Sequence, residues 1–267
     1  MKNFVVLGLI LITIVSFSSC NRETTNQPED GMGMLEIRMI DMPASYDEVN
    51  IVIDSVQAHI ATSDSMSGWY TLNRIPATYN LLMLVNGANA VIGSTQLPVG
   101  RYSQIRLFIG EGSNVVVDGD SVPLTTPSGM QSGIKLNVDA VIEPDILYTL
   151  TLDFDANRSI VKTGSPTNPK YILKPVIRTV ATGTTGIISG VISPSATRPS
   201  VWAFTATDTA STFADTSGGF KLVYLNPNTY SVYITPSDTA FQDTTILNVS
   251  VSASATTYLD TIILQPK

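Results

Sequence analysis

Apolar and polar residues alternate with a period of two along most of the chain after residue 33. The first run places Leu35, Ile37 and Met39 on one side, and later runs repeat the pattern at 51–53, 105–109, 134–138 and 150–154. This period is typical of β-strands that bury one face. Glycine, proline and aspartate breakers separate the runs, and no long stretch keeps a helical period. The pattern therefore predicts an all-β fold.

Three local patterns refine this prediction. The segment from Ser113 to Leu124 has Asp-Gly between two valine-rich halves, which indicates a β-hairpin. The segment Tyr79 to Leu84 is the best helical candidate, about two turns long, and Asn86-Gly87 would end it. The strand Tyr171 to Val180 contains a proline, so we expect an edge strand that could pair with a partner.

A small, polar, glycine-rich stretch at 181–186 separates two β-patterned regions. We call residues 34–181 the first block and residues 187–267 the second block. A length of 267 residues also fits one large β-domain, but the boundary favours two β-sandwich domains in tandem. Strands of the second block are predicted at 187–192, 201–205, 220–223, 230–235, 246–251 and 258–264.

The amino terminus has the features of an export signal. Lys2 precedes an uncharged apolar run from Phe4 to Phe17, which is too short to span a bilayer comfortably. The run ends in Ser18-Ser19-Cys20, and small residues before a cysteine resemble the lipobox of bacterial lipoproteins. We expect residues 1–19 to be a lipoprotein signal peptide, Cys20 to be lipidated, and residues 20–33 to be a flexible tether. The alternative is ordinary signal cleavage that leaves a free thiol.

Composition narrows the class of partner. Cys20 is the only cysteine, so no disulfide can form within the chain. The net charge is −7, and lysine and arginine are not clustered, which argues against nucleic acid. We expect a protein attached to the outer membrane by its lipid, and the sequence leaves open whether it faces the periplasm or the outside.

The first block resembles an uncharacterised family catalogued as domain of unknown function 4382, which is common in lipoproteins of the Bacteroidetes group. The resemblance runs from about Gly33 to Val180 and brings no established activity. The motifs that carry it are Arg38-Met-Ile-Asp-Met-Pro43, Tyr46-Asp-Glu-Val-Asn50, Gly68-Trp69, Leu97-Pro-Val-Gly-Arg-Tyr102, Asp153-Phe-Asp155 and Lys170-Tyr-Ile-Leu-Lys-Pro175.

The second block resembles the carboxypeptidase-regulatory-like, or transthyretin-like, family of sandwiches. Gly190-Val191, Thr216-Ser-Gly-Gly-Phe220 and Leu225-Asn-Pro-Asn-Thr-Tyr230 carry this resemblance, with Asn228 in place of the usual turn glycine. The resemblance implies a sandwich fold and not an activity, because such modules are spacers in many exported proteins.

Asp153 and Asp155 flank Phe154 and would share one face of a strand. The main expectation for such a pair is a solvated strand face or ion pairs with Arg106, Arg158 or Lys135. Calcium binding and acid–base chemistry are the alternatives. Calcium is favoured over catalysis, because Asp41 and the segment Asp118 to Asp120 add further oxygen ligands. The only histidine, His59, is expected to be structural. No cofactor is expected, and calcium is the one alternative.

The two tryptophans could form a binding platform for sugars. Trp69, its neighbour Tyr70, and Trp202 offer aromatic faces, which stack on sugar rings. Core packing is the ordinary alternative for each of them.

The sequence as a whole predicts a non-catalytic envelope lipoprotein that serves as a structural or protein-interaction module. The alternatives are a carbohydrate-binding lipoprotein of a glycan-uptake system and, last, a carboxylate enzyme.

Overall fold

The computed structural model describes residues 31–64, 67–127, 132–165 and 167–267. The fold is all-β, as predicted, and it consists of paired sheets that form sandwiches. No helix within those ranges is both long enough and apolar enough to cross a membrane. The predicted signal peptide, Cys20 and most of the predicted tether lie outside the described residues.

Among its described residues, the first block contains thirteen strands and one short α-helix, α1, at Ala156–Ser159. A 3₁₀ turn at Leu81–Met83 follows the fourth strand. The strands are β1 Met32–Asp41, β2 Glu48–Ile60, β3 Trp69–Asn73, β4 Ala77–Asn80, β5 Ala90–Pro98, β6 Gly100–Ile109, β7 Asn114–Val117, β8 Asp120–Thr125, β9 Ile134–Ile142, β10 Leu147–Phe154, β11 Ile160–Ser165, β12 Asn168–Leu173 and β13 Ile177–Ala181.

These strands form two facing sheets. The smaller sheet has the order β13-β10-β1-β5, and its central strands β1 and β10 run parallel. The larger sheet has the path β11-β12-β8-β7-β2-β6-β9, with β3 and β4 also paired to β2. Leu35, Ile37 and Met39 of β1 are fully buried between the sheets, as the alternation predicted.

The second block has its own buried core, separate from that of the first. Two 3₁₀ turns, Thr182–Thr184 and Ser195–Thr197, lie before β14 and before β15. The strands are β14 Gly186–Ser193, β15 Ser200–Phe204, β16 Thr209–Phe213, β17 Gly219–Leu225, β18 Asn228–Thr235, β19 Thr244–Val251, β20 Thr256–Tyr258 and β21 Ile262–Ile263. One sheet has the order β17-β14-β20 with β21 also on β14, and the other has the order β16-β15-β18-β19.

The hairpin prediction is confirmed. β7 and β8 pair as an antiparallel hairpin, and Asp118 and Gly119 form its turn with positive φ values of 54° and 83°. Aspartate and glycine tolerate that backbone region, which is why the sequence signal was strong.

The helix predicted at Tyr79 to Leu84 is wrong. Tyr79 lies in β4, opposite Ile51 of β2, and only a single 3₁₀ turn follows. The side chain of Asn80 caps that turn by accepting a hydrogen bond from the Leu82 amide. Tyr79 and Asn80 therefore pair with β2 and are not available to a helix.

The single edge strand predicted at Tyr171 to Val180 is also wrong. Pro175 divides the segment into β12 and β13, which belong to different sheets. β12 lies between β11 and β8, so its edges are already paired, whereas β13 is at the edge of the smaller sheet.

In the second block the structure adds β16 and divides the predicted strand at 258–264 into β20 and β21.

Candidate functional site

A cleft of about 300 Å³ lies where the two blocks meet. The first block contributes the end of β10, α1 and the start of β13, and the second block contributes β15 and the loop that follows it. The cleft is rich in charge for a chain with only 14% charged residues. Its charged and aromatic lining consists of Asp153, Asp155, Arg158, Arg178, Asp208 and Trp202.

Arg178 connects the two blocks. It lies directly opposite Asp153 in the antiparallel pair of β13 and β10, and such opposed residues are close enough for an ion pair. Its Nη2 and Nε donate to Asp153 Oδ2 at 2.8 and 3.2 Å. Its Nη1 donates to Oδ1 of Asp208, in the second block, at 2.8 Å. One guanidinium group therefore bridges two carboxylates from different blocks.

Asp208 is held in place from its own block. Its Oδ2 accepts hydrogen bonds from the Tyr230 hydroxyl at 2.8 Å and from Asn226 Nδ2 at 3.0 Å. Burial raises the pKa of Tyr230, and the hydrogen bond to Asp208 raises this pKa further. Tyr230 thus remains a neutral donor at physiological pH and fixes the carboxylate that receives Arg178.

Asp155 is an N-cap. It follows β10, and its Oδ1 accepts a hydrogen bond from the Arg158 amide at 2.9 Å, which caps α1. The guanidinium group of Arg158 is 3.8 Å from Asp155 Oδ2, but this side chain is 72% exposed. Asp153 and Asp155 both line the cleft, while Phe154 between them is fully buried in the core. Each carboxylate already has a protein partner.

Asp41 brings a further carboxylate to the junction. It ends β1, next to the parallel strand β10, and its Oδ1 accepts a hydrogen bond from the Ala156 amide at 2.9 Å. Burial raises the pKa of Asp41 well above its usual value, and the charge of Asp153 raises it further. Burial also raises the pKa of Asp153, although Arg178 opposes this shift. Asp41 Oδ2 and Asp153 Oδ1 are both buried without a hydrogen-bond partner.

Asn86 makes a second connection between the blocks. It has a φ of 57°, in the left-handed region that asparagine tolerates. Its amide donates to Thr212 Oγ1 at 2.9 Å, and its Oδ1 accepts from the Lys221 amide at 2.6 Å. Its Nδ2 donates to the Gly219 carbonyl at 3.4 Å. The side chain thus pairs with the β17 backbone and extends the contact beyond the cleft.

The three predicted ligand-binding aromatics do not come together. Trp202 lines the cleft and donates from Nε1 to Ser200 Oγ at 3.3 Å. Trp69 lies in β3, with the guanidinium carbon of Arg106 3.7 Å above its ring and the His59 ring 4.8 Å away. Tyr70 packs edge-to-face against Tyr102 at 6.0 Å. Arg106 therefore already occupies a face of Trp69.

His59 has the structural surroundings that the sequence suggested. It is 6% exposed, and its Nε2 is 2.7 Å from the carbonyl oxygen of Asp64.

Within the described ranges, no three His, Cys, Asp or Glu side chains are arranged as a metal site. Calcium at Asp153 and Asp155 stays a prediction, and Cys20 lies outside the described residues.

The sequence alone did not indicate that Arg178, Asp208 and Asn86 join the two blocks. Asp208 lies in a polar loop and Arg178 in an ordinary strand, so only folding shows that they meet. One signal was present, since a charged residue inside a strand of a charge-poor chain needs a partner. For Asn86, the sequence indicated the turn but not the block that its side chain would contact.

Comparison with known proteins gives one family match. A family model described as "Domain of unknown function (DUF4382)" matches residues 32–175, which confirms the resemblance of the first block. No curated protein matches the chain. The transthyretin-like resemblance of the second block stays a prediction.

Three solved structures that match do so at low similarity. A type II cohesin–X-dockerin complex from Acetivibrio cellulolyticus is 26% identical over 30% of this chain and 58% of that chain, with a TM-score of 0.25. This chain therefore spans little more than half of that protein. The minor pilin GBS52 of Streptococcus agalactiae is 12% identical over 87% of this chain and 96% of that one, with a TM-score of 0.22. The shaft pilin SpaA of Lactobacillus rhamnosus GG is 9% identical over 89% and 98%, with a TM-score of 0.23. Likenesses this weak carry no argument about function.

Proposed function

The chain belongs to the family described as "Domain of unknown function (DUF4382)" through residues 32–175, and we propose its role from its own residues because that description names no activity. The protein is a non-catalytic, lipid-anchored module of a bacterial envelope, and it serves as a structural or protein-interaction element. Its two blocks act as one stiff unit that carries an interaction surface away from the membrane.

The bridge formed by Arg178 is the observation that supports this proposal. A general acid or base needs a carboxylate that can reach a substrate with a suitable pKa. Here Asp153 and Asp208 are hydrogen-bonded to one guanidinium group, and Asp155 caps a helix. The two contacts of Arg178 join one block to the other, which is what a spacer or scaffold requires.

The lipid anchor is proposed from the apolar run and the Ser18-Ser19-Cys20 sequence. In cells fed an alkyne fatty acid, the full chain is expected to incorporate the label and to sediment with outer membranes. The Cys20→Ser variant should lose the label and the membrane association, while a Ser18→Ala variant should keep both. Equal labelling of the Cys20→Ser and unchanged chains would contradict the anchor.

A protein partner at the envelope is the other half of the proposal. After mild cross-linking of intact cells, affinity purification of the full chain should recover one envelope protein at a constant ratio. The same purification with an unrelated lipoprotein as bait should not recover it. If the chain is recovered alone at every cross-linker concentration, the interaction role is contradicted.

Carbohydrate binding is a second candidate, supported by the position of Trp202. The indole lines the same cleft as Asp155 and Arg158, and aromatic faces with nearby polar groups are typical of sugar sites. The Trp202→Ala variant is expected to weaken glycan binding by about tenfold or more, which corresponds to roughly 1.4 kcal/mol. The Trp69→Ala variant is the matched control and should bind as the unchanged chain does. A glycan array without any specific signal would exclude this candidate.

A further inference from the structure

A larger cavity, of about 540 Å³, lies between the two blocks and is lined by residues other than those of the cleft. The first block contributes the segment 82–86, and the second block contributes Arg198, the end of β16, the turn after it and Ser237. Pockets that hold small ligands have volumes of roughly 300–1,000 Å³. The cavity therefore has room for a small organic molecule.

Part of the cavity wall is apolar, and both blocks contribute to it. Leu82 and Val85 of the first block are half-buried, and Phe213 at the end of β16 is 37% exposed. A concave surface of this kind favours ligands that bring apolar groups of their own.

Arg198 brings a positive charge to the cavity. Its φ of 37° lies in the left-handed region, which residues other than glycine seldom adopt. Two contacts hold its backbone there, because its amide donates to the Ser195 carbonyl at 3.2 Å and its carbonyl accepts from the Ser237 hydroxyl at 2.8 Å. A guanidinium group can bind a carboxylate through two parallel hydrogen bonds. Arg198 is therefore positioned to bind an anionic group of a ligand.

Asp215 brings a negative charge to the same cavity. Its Oδ1 accepts hydrogen bonds from the Ser217 hydroxyl at 2.6 Å, the Ser217 amide at 2.8 Å and the Gly219 amide at 3.0 Å. The Ser217 hydroxyl contributes most to lowering the pKa of Asp215, so the carboxylate is ionised at neutral pH. All three contacts are to Oδ1, and Oδ2 can accept from a ligand.

The two charges of the cavity are not used by the protein itself. In the part of the chain that the structure describes, Arg198 and Asp215 form no ion pair with each other or with any other residue. A ligand with a single negative charge, such as a fatty acid, would be attracted by Arg198 and repelled by Asp215. A ligand that carries both charges complements both residues.

We propose that this cavity binds a short peptide that has apolar side chains and two charged ends. The terminal carboxylate pairs with Arg198, and the terminal ammonium group pairs with Asp215. The side chains of the peptide pack against Leu82, Val85 and Phe213. Such a peptide contacts both blocks, so its binding favours their docked arrangement. This inference does not depend on the proposed envelope role.

The test is isothermal titration calorimetry of the full chain in detergent with the dipeptide leucyl-phenylalanine, corrected for the heat of dilution into detergent alone. We expect a dissociation constant below about 1 mM. Arg198→Met and Asp215→Asn should each weaken binding by about tenfold or more, because each removes one charge-assisted contact. Both side chains are exposed, and the amide oxygen of Asp215→Asn can still accept the hydrogen bonds of its turn, so neither change should unfold the chain.

Two matched variants should bind the dipeptide as the unchanged chain does. Arg158→Met removes an exposed arginine that lines the cleft and not this cavity. Asp47→Asn removes a carboxylate that, like Asp215, accepts from the amide of a turn glycine, but in the first block and outside the cavity.

Blocked dipeptides identify which end of the peptide each charge binds. Acetylation of the amino end or amidation of the carboxyl end should each weaken binding by about tenfold or more. The acetylated form also represents the carboxyl end of a longer protein, so its weaker binding distinguishes a free peptide from a protein terminus.

Any of three results would overturn the proposal. The first is no heat of binding for the unchanged chain. The second is binding that Arg198→Met and Asp215→Asn leave intact, or that Arg158→Met and Asp47→Asn weaken equally. The third is a blocked dipeptide that binds as tightly as the free one.

Discussion

Replacing Arg178 by methionine is expected to lower the free energy of unfolding by about 3–5 kcal/mol. Methionine keeps much of the volume of the side chain but leaves Asp153, which is 2% exposed, without its counter-ion. The Asp208 carboxylate loses its partner in the other block at the same time. Removing one partner of a buried ion pair costs this much because the remaining charge stays out of water. Urea unfolding in EDTA, followed by circular dichroism, measures the loss without any bound cation.

Arg101→Met is the matched control for this prediction. Arg101 pairs with Asp139 at 2.6 Å, but the two side chains are 64% and 65% exposed. Water and salt screen such a pair, so its removal should cost no more than about 1 kcal/mol. If the two variants lose the same stability, the pairing of Arg178 is not the buried bridge described above.

Replacing Phe154 by alanine is expected to cost about 3–5 kcal/mol through the cavity that it leaves. Phe154 is fully buried in the core of the first block, while the residues on either side of it line the cleft. The loss of packing should therefore also disturb Asp153 and Asp155. Thermal and urea unfolding give the loss, and the fluorescence of Trp202, in a chain whose other tryptophan is replaced by Trp69→Phe, reports the effect on the cleft.

Tyr258→Ala provides the comparison for Phe154→Ala. Tyr258 is 79% exposed, so the same loss of an aromatic ring should change the free energy of unfolding by only about 0.5 kcal/mol. Equal losses at the two positions would contradict the assignment of Phe154 to the core.

The strands could be predicted because their signal is local. Leu35, Ile37 and Met39 repeat at the period of a strand, and the structure buries all of them. The Asp118-Gly119 turn was predictable for the same reason, since its backbone needs those residue types. The Tyr79 to Leu84 segment was misread because its partner in the sheet, β2, is distant in sequence.

The cleft was only partly predictable because it depends on contacts between distant residues. The motif Asp153-Phe-Asp155 indicated a pair of carboxylates, and the structure places both at one cleft. The partner of Asp153 comes from 25 residues further along, and Asp208 is 30 residues beyond Arg178. Periodicity within a strand carries no information about which block will cover its polar face.

The two blocks are expected to form one stiff unit. The distribution of distances between a label on each block tests this most directly. Spin labels would be placed at Lys162→Cys in β11 and Leu247→Cys in β19, both exposed, with Cys20 replaced by serine. Pulsed electron paramagnetic resonance should give one narrow distance distribution for this chain, and a broad one after Arg178→Met. A broad distribution before Arg178 is changed would contradict the account, because the blocks would then move independently despite the bridge.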